Sequence, residues 1–274
     1  MPRIQVQDAD LYMVEEGAGD PVVLVHGTLA DYRTWLLQVR EISRSHHVIA
    51  YSRRYHAPNP AGPVGGTYSV SVQAEDLIQV IRARFGTSAH VVTSSYGGCV
   101  GLEAALKGPE MVRSLVLSEP PLMPWLLRSE QGRSLFPTVL SAQAASNRAF
   151  KAGNPRDGVR AFCDMAMGPG VFDALPARAQ ARLMDNASEL ALEMATPTDA
   201  LFPQVSCEAL LEMRVPVLLL TGETSLTLYR VITDQLERCL PSPQRSVIGG
   251  AGHILHNANP LAFSERVLRF MEGT

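Results

Sequence analysis

Short, unbroken apolar runs constrain this chain more than any other feature. Pro21-Val-Val-Leu-Val25 leaves no polar position for a solvated face, so it suits a strand buried on both sides of a parallel sheet. His47-Val-Ile-Ala-Tyr51, His90-Val-Val92, Val112–Leu117, Val215–Thr221 and Arg245–Ile248 repeat the theme down the chain. Residues 4–15 alternate instead, with Ile4, Val6, Leu11 and Met13 facing inward, and form a first strand pair. Between the runs lie helical stretches at about 32–43, 226–239 and Pro260–Met271. Another is capped by Ser71, with Ala74, Leu77, Ile78, Ile81 and Phe85 at the 3.6-residue period. Strands alternating with helices in this way predict an α/β fold built on one doubly wound, mostly parallel sheet.

The alternation lapses from residue 122 to 206. That stretch carries no buried-strand pattern and reads as amphipathic helices near 135–151, 156–168 and 177–195, the last opened by Pro176. The expected organisation is a core of 1–121 and 207–274 interrupted by a helical cap at 122–206. Residues 52–68, with Pro58, Pro60, Pro63, Gly62, Gly65 and Gly66, read as a loop.

Charge and composition exclude several classes of protein. The net charge is −3, and the 24 Lys and Arg form no stripe, which argues against a nucleic-acid partner. No run reaches the ~18 apolar residues of a membrane span, and the polar amino terminus has no signal-like segment. The four cysteines, Cys99, Cys163, Cys207 and Cys239, are widely separated and lack metal-ligand spacing. They are expected to be reduced and buried in a cytoplasmic protein. No metal or cofactor is expected. The sequence leaves open whether the chain is a monomer or a homo-oligomer.

One stretch departs from ordinary strand-to-helix chemistry. In His90-Val-Val-Thr-Ser-Ser-Tyr-Gly-Gly98 an apolar run turns abruptly into small polar residues and two glycines. That pattern suits a strand, a sharp turn and a helix N-terminus, with Ser95 exposed on a strained apex. Gly97 meets the need for a small residue two positions after the serine; Thr93, two positions before, meets it poorly. A serine is a weak nucleophile and needs a base within hydrogen-bond reach, itself oriented by a third group. His253 is the candidate base, because Gly249-Gly-Ala-Gly-His253 follows the last strand on a loop able to swing over a sheet edge. His256 is a nearby competitor.

His26-Gly27, the Ser95 turn with Gly97-Gly98, and Gly-Ala-Gly-His253 before Asn259-Pro260 together resemble the α/β-hydrolase superfamily over essentially the whole chain. The resemblance implies a helical lid inserted between the sixth and seventh core strands. It also implies a triad in the chain order nucleophile, acid, base. In many relatives the acid is the aspartate of Gly-x-x-Asp, but here Gly222-Glu223-Thr224-Ser225 puts serine at that position. Glu119, at the end of the strand after the elbow helix, is the candidate acid. Glu119-Pro120-Pro121 is similar to the Glu-Leu-Pro of zearalenone lactonase-like members, and Glu223 is the rival. The oxyanion hole is expected from the backbone N–H groups of Thr28 and Tyr96.

A second departure is Tyr51-Ser-Arg-Arg-Tyr-His56, where relatives often carry Asp-x-Arg-Gly-x-Gly. It has no assigned role; Tyr55 and His56 are read as a surface loop or a pocket rim. Leu122, Met123, Trp125, Leu126, Leu127, Met165 and Met167 are candidate lining for an apolar pocket. The expected activity is cofactor-independent hydrolysis of a carboxylic ester or lactone of a small to medium apolar substrate through an acyl-enzyme. Carbon–carbon bond hydrolysis on the same triad and a non-catalytic ligand-binding role are the alternatives.

Overall fold

The computed structural model describes residues 2–62 and 68–274. Eight strands form one sheet: β1 (Arg3–Val6), β2 (Ala9–Glu16), β3 (Asp20–Val25), β4 (His46–Tyr51), β5 (Ala89–Ser94), β6 (Val112–Ser118), β7 (Val217–Gly222) and β8 (Gln244–Ile248), in the order β1-β2-β4-β3-β5-β6-β7-β8. The β1–β2 and β2–β4 pairs are antiparallel and every other pair is parallel.

The apolar runs are continuous because both sheet faces are covered. Val23, Val25, Ile49, Tyr51, Val91, Leu115 and Leu117 pack with helices Val70–Phe85, Tyr96–Lys107 and Thr227–Cys239. Their neighbours Val22, Leu24, Val48, Ala50, Val92 and Val116 point the other way, against Trp35, Val39, Phe263, Val267 and Phe270 of helices Leu36–Ile42 and Pro260–Met271 and the turn before the first of these. Successive residues thus alternate between two cores, as the strand period of two requires.

From β3 the chain steps to β4 on one side and then crosses back to β5 on the other. The carboxyl ends of β3 and β5 therefore flank a switch point, the place where sheets of this kind leave a crevice. The segments after β3, β5, β6 and β8 carry His26–Thr28, Ser95, Glu119 and His253 to this rim.

Between β6 and β7 only helices form: principally Glu130–Lys151, Pro155–Met167, Ala177–Met184 and Ala187–Ala195. Val159, Cys163, Phe172, Leu190 and Met194 give them an apolar centre that also takes in Leu29 from the loop after β3. The first helix starts earlier than its apolar period implies, because Ser129 caps it by accepting from the Gly132 N–H at 3.0 Å. The single helix expected over 177–195 is two. Asn186, at the break, accepts from the Ala57 N–H at 2.8 Å and donates to Asp31 at 3.1 Å, so tertiary hydrogen bonds stop the helix there.

Two further expectations are corrected. Helix Val70–Phe85 is preceded by Ser69, not capped by Ser71; Ser71 lies within it and accepts from the Lys107 ammonium. Cys207 and Cys239 form a disulfide, leaving Cys99 and Cys163 as the buried free thiols. Their separation of 32 residues hides the pairing, which arises where helix Cys207–Leu211 folds against the end of Thr227–Cys239. A cytoplasmic location loses the support it drew from reduced cysteines. Among the described residues no helix is long and apolar enough to cross a membrane. Residues 63–67 of the Pro- and Gly-rich loop lie outside the described residues.

Candidate active site

Ser95 stands between the end of β5 and helix Tyr96–Lys107 at φ 51° and ψ −126°. A non-glycine residue holds such a backbone only when its surroundings enforce it. The Ser95 N–H donates to the Ser118 carbonyl at 2.8 Å and its own carbonyl accepts from the Gly98 N–H at 2.7 Å. Gly97 has no alternative residue: a Cβ there would sit 2.3 Å from the Val25 carbonyl oxygen and 2.7 Å from that of His26, both rigid backbone. Thr93, the residue that fits the elbow pattern poorly, is accommodated by other glycines. Its Oγ1 donates to the Val116 carbonyl at 2.7 Å, and its Cγ2 occupies the space that a Cβ on Gly101 would need.

The three side chains singled out from sequence meet. Ser95 Oγ lies 2.9 Å from His253 Nε2, and His253 Nδ1 lies 2.8 Å from Glu119 Oε2. Since a carboxylate only accepts, Nδ1 carries the proton and Nε2 is free to accept from the serine hydroxyl. Glu119 is fully buried, and its Oε1 accepts from the Gly222 N–H at 2.8 Å. Its φ of 48° is again a strained value for a non-glycine residue.

The rivals are engaged elsewhere. Glu223 is exposed and accepts from the Gly250 N–H at 2.7 Å. His256 stacks on Trp35 with centroids 4.1 Å apart, and its Nε2 is 2.8 Å from Thr34 Oγ1. Burial lowers its pKa to about 3, so it is neutral. Ser225 Oγ finds no hydrogen-bond partner among the described residues, so the usual acid position makes no polar contact in its place.

Tyr96 is the first residue of its helix, where the N–H has no intrahelical carbonyl to meet and the helix dipole is positive. Thr28 follows His26-Gly27 across the crevice, where a Cβ on Gly27 would fall 2.8 Å from Ser95 Cβ. His26 acts in packing. Its Nε2 accepts from the Arg53 N–H at 2.9 Å, its Nδ1 lies 2.8 Å from the Gly27 carbonyl, and burial drives its pKa well down.

A cavity of about 390 Å³ opens above these groups, lined largely by apolar side chains from the helical segment. Met123, Met165 and Met167 contribute, together with Phe136, Val139, Phe162, Leu183, Met194 and Phe202. Leu122, Trp125 and Leu126 do not: they are buried in the sheet-side core, and Leu127 is exposed. Helical spacing alone could not separate the two faces.

Sequence reasoning missed three features. The Tyr229 ring stacks on the His253 imidazole with centroids 3.8 Å apart and planes 8° from parallel, while its hydroxyl donates to the Ala166 carbonyl at 3.0 Å. Nothing local marks this tyrosine, since its two contacts come from distant segments. Residues 52–56, which follow β4, are buried or half-buried, not a surface loop. His56 is fully enclosed and does not line the cavity, and Arg53 donates to the carbonyls of His26 at 2.8 Å and Gly27 at 3.1 Å. A buried pair of carboxyls, Glu189 and Glu193, completes the list.

Comparison with known proteins bears on family and fold. The family model described as "Alpha/beta hydrolase family" matches residues 22–266. The chain belongs to that family. A protein of Azorhizobium caulinodans named for carbamate hydrolysis, RutD, is 35% identical over 117 residues, 43% of either chain. The 2-hydroxymuconate semialdehyde hydrolase of Pseudomonas sp. is 31% identical over 113 residues, 38% of this chain and 37% of its own. The chain thus spans less than half the length of these relatives. The carboxylesterase CesB of Bacillus subtilis superposes with a TM-score of 0.76 at 19% identity, over 99% of this chain and 91% of its own, a likeness of fold.

Proposed function

We propose that this α/β hydrolase cleaves a carboxylic ester or lactone of a mainly apolar substrate, without a cofactor, through an acyl-enzyme on Ser95. The observation that carries the reading is the hydrogen-bonded chain from Ser95 through His253 to buried Glu119, at the foot of an apolar cavity. Ser95 Oγ attacks the carbonyl carbon as His253 Nε2 takes its proton. Glu119 holds the tautomer and stabilises the imidazolium. The Thr28 and Tyr96 N–H groups receive the negative charge on the carbonyl oxygen. His253 then returns the proton to the departing alkoxide, and water, deprotonated by the same imidazole, releases the acid and frees Ser95. Residues 122–206 act as the cap that gives the pocket its apolar wall.

A second reading, hydrolysis of a carbon–carbon bond in a carboxylated β-diketone, draws on the semialdehyde hydrolase relative and on Arg182 at the cavity wall. The test is turnover of p-nitrophenyl esters, a lactone panel and a β-diketone acid by the wild type and Ser95→Ala. Serine-dependent ester or lactone hydrolysis is expected. Turnover of the diketone alone would establish the second reading, and the absence of serine-dependent turnover on every substrate would leave a ligand-binding protein.

A further inference from the structure

The loop after β3 is gripped from a side that the proposed reaction does not use. Glu193, on helix Ala187–Ala195, is only 4% exposed yet borders the cavity over Ser95. Thr28 Oγ1 lies 2.9 Å from each of its carboxyl oxygens. Four residues earlier, fully buried Glu189 holds its Oε1 3.0 Å from His56 Nε2. Arg53, fully buried, clamps the two carbonyls that immediately precede Thr28. Residues 26–28 are therefore fixed at three successive points, two from the loop after β4 and one from the helical segment.

We propose that Glu193 is a positioning residue for the oxyanion hole: its hydrogen bond to the Thr28 side chain, acting with the Arg53 clamp, aims the Thr28 N–H at the oxygen of the tetrahedral intermediate. The inference rests on the acyl-transfer reading above. It makes a docked helical segment part of the catalytic geometry, because without it Thr28 loses its tether.

The charge around Glu193 says in which form it works. It faces Glu189 on its own helix, Thr28 after β3, Arg53 after β4, Tyr68, and Tyr96 and Cys99 of the elbow helix, while His56 faces Glu189. Burial and the neighbouring Glu189 push its carboxyl well above the usual range, whereas His56 and Arg53 hold Glu189 ionised against its own burial. Burial also pushes Tyr68, Tyr96 and Cys99 well up. As pH rises, Glu193 is thus the carboxyl of this cluster left to ionise, placing a second negative charge beside Glu189.

Glutamine reproduces a neutral carboxyl: a carbonyl oxygen for Thr28 and an N–H donor for Glu189. The experiment compares kcat and KM of wild type, Glu193→Gln, Glu193→Ala and Ser95→Ala on a p-nitrophenyl ester from neutral to alkaline pH. Fluorophosphonate labelling rates and circular dichroism accompany each variant. Expected is a fall of roughly 10–100-fold in kcat for Glu193→Ala with KM nearly unchanged and labelling slowed, since a misaimed donor weakens only the transition state. Glu193→Gln is expected to stay close to wild type near neutral pH; wild-type activity is expected to fall at alkaline pH as Glu193 ionises, and that fall to be absent from Glu193→Gln. Wild-type kcat in Glu193→Ala, or a folded Glu193→Gln that is as impaired as alanine or keeps the alkaline loss, overturns the proposal. If Glu193→Ala does not fold, the pH profile of Glu193→Gln decides alone. Full activity in Ser95→Ala sinks the acyl-transfer reading instead.

Discussion

A non-glycine residue at positive φ costs about 1–3 kcal/mol, and two of the three residues in the proposed triad, Ser95 and Glu119, carry that strain. In each case the chain turns sharply at the end of a parallel strand, so a side chain that would otherwise enter the sheet projects over its rim. Pro120, next to Glu119, narrows the backbone choice there further. The acid assignment is testable at this scale. Glu119→Gln keeps the shape but removes the charge and disturbs the tautomer at Nδ1, so kcat is expected to fall by about 10³–10⁴-fold. Glu223→Gln, whose carboxylate among the described residues accepts from the Gly250 N–H, is expected to stay within a few-fold of wild type. Steady-state kinetics on one ester decides, and a larger loss in Glu223→Gln would reverse the assignment. Ser95, His253 and Glu119 could be singled out from sequence because each sits beside local punctuation: Gly97-Gly98, Gly249–Gly252 and Pro120-Pro121. Tyr229 and Arg53 have no such flag, as their partners belong to other segments.

At the scale of elements, the buried strands were legible and the helix ends less so. A strand covered on both faces shows itself as an apolar run, whereas a helix end depends on what its last turn meets. Asn186 divides 177–195 because Ala57 and Asp31 take its side chain, a fact of packing that residue periodicity does not carry. The Cys207–Cys239 link joins the last short helix before β7 to the helix that carries Tyr229. Closing a loop of this size restricts the unfolded chain and contributes about 4 kcal/mol. Cys207→Ser, with Cys239→Ser, is therefore expected to lower the urea midpoint. Ester turnover at room temperature should be retained, because the helix remains packed against β7. An unchanged midpoint would mean that the link does not form in the protein.

For the molecule as a whole, buried histidines set the acid limit. Burial lowers His256 to about 3 and His90 to about 4, so both are neutral in the folded state while the unfolded chain binds protons below about 6.5. The unfolded state gains more protons as pH drops, so this contribution is whole above about 6.5 and erodes between 6.5 and the folded values. Each histidine costs about 2 kcal/mol on going from about pH 7 to pH 5. Burial raises Asp76 and works in the opposite sense, though its ion pair with Arg54 limits it. Urea unfolding at the two pH values should show the loss, and His256→Gln should lessen it if the mutant packs.

The residue order by itself determined the doubly wound sheet, its helical interruption and the segments that bear the nucleophile, acid and base candidates. Periodicity, glycines and prolines act over a few neighbours and survive in one dimension. Only the folded chain decided that Leu122, Trp125 and Leu126 turn away from the cavity, that Cys207 meets Cys239, that Tyr229 lies on the imidazole, and that Glu193 holds Thr28. Those contacts join residues far apart in sequence, and their energies come from burial and mutual orientation that arise only once the helices dock on the sheet.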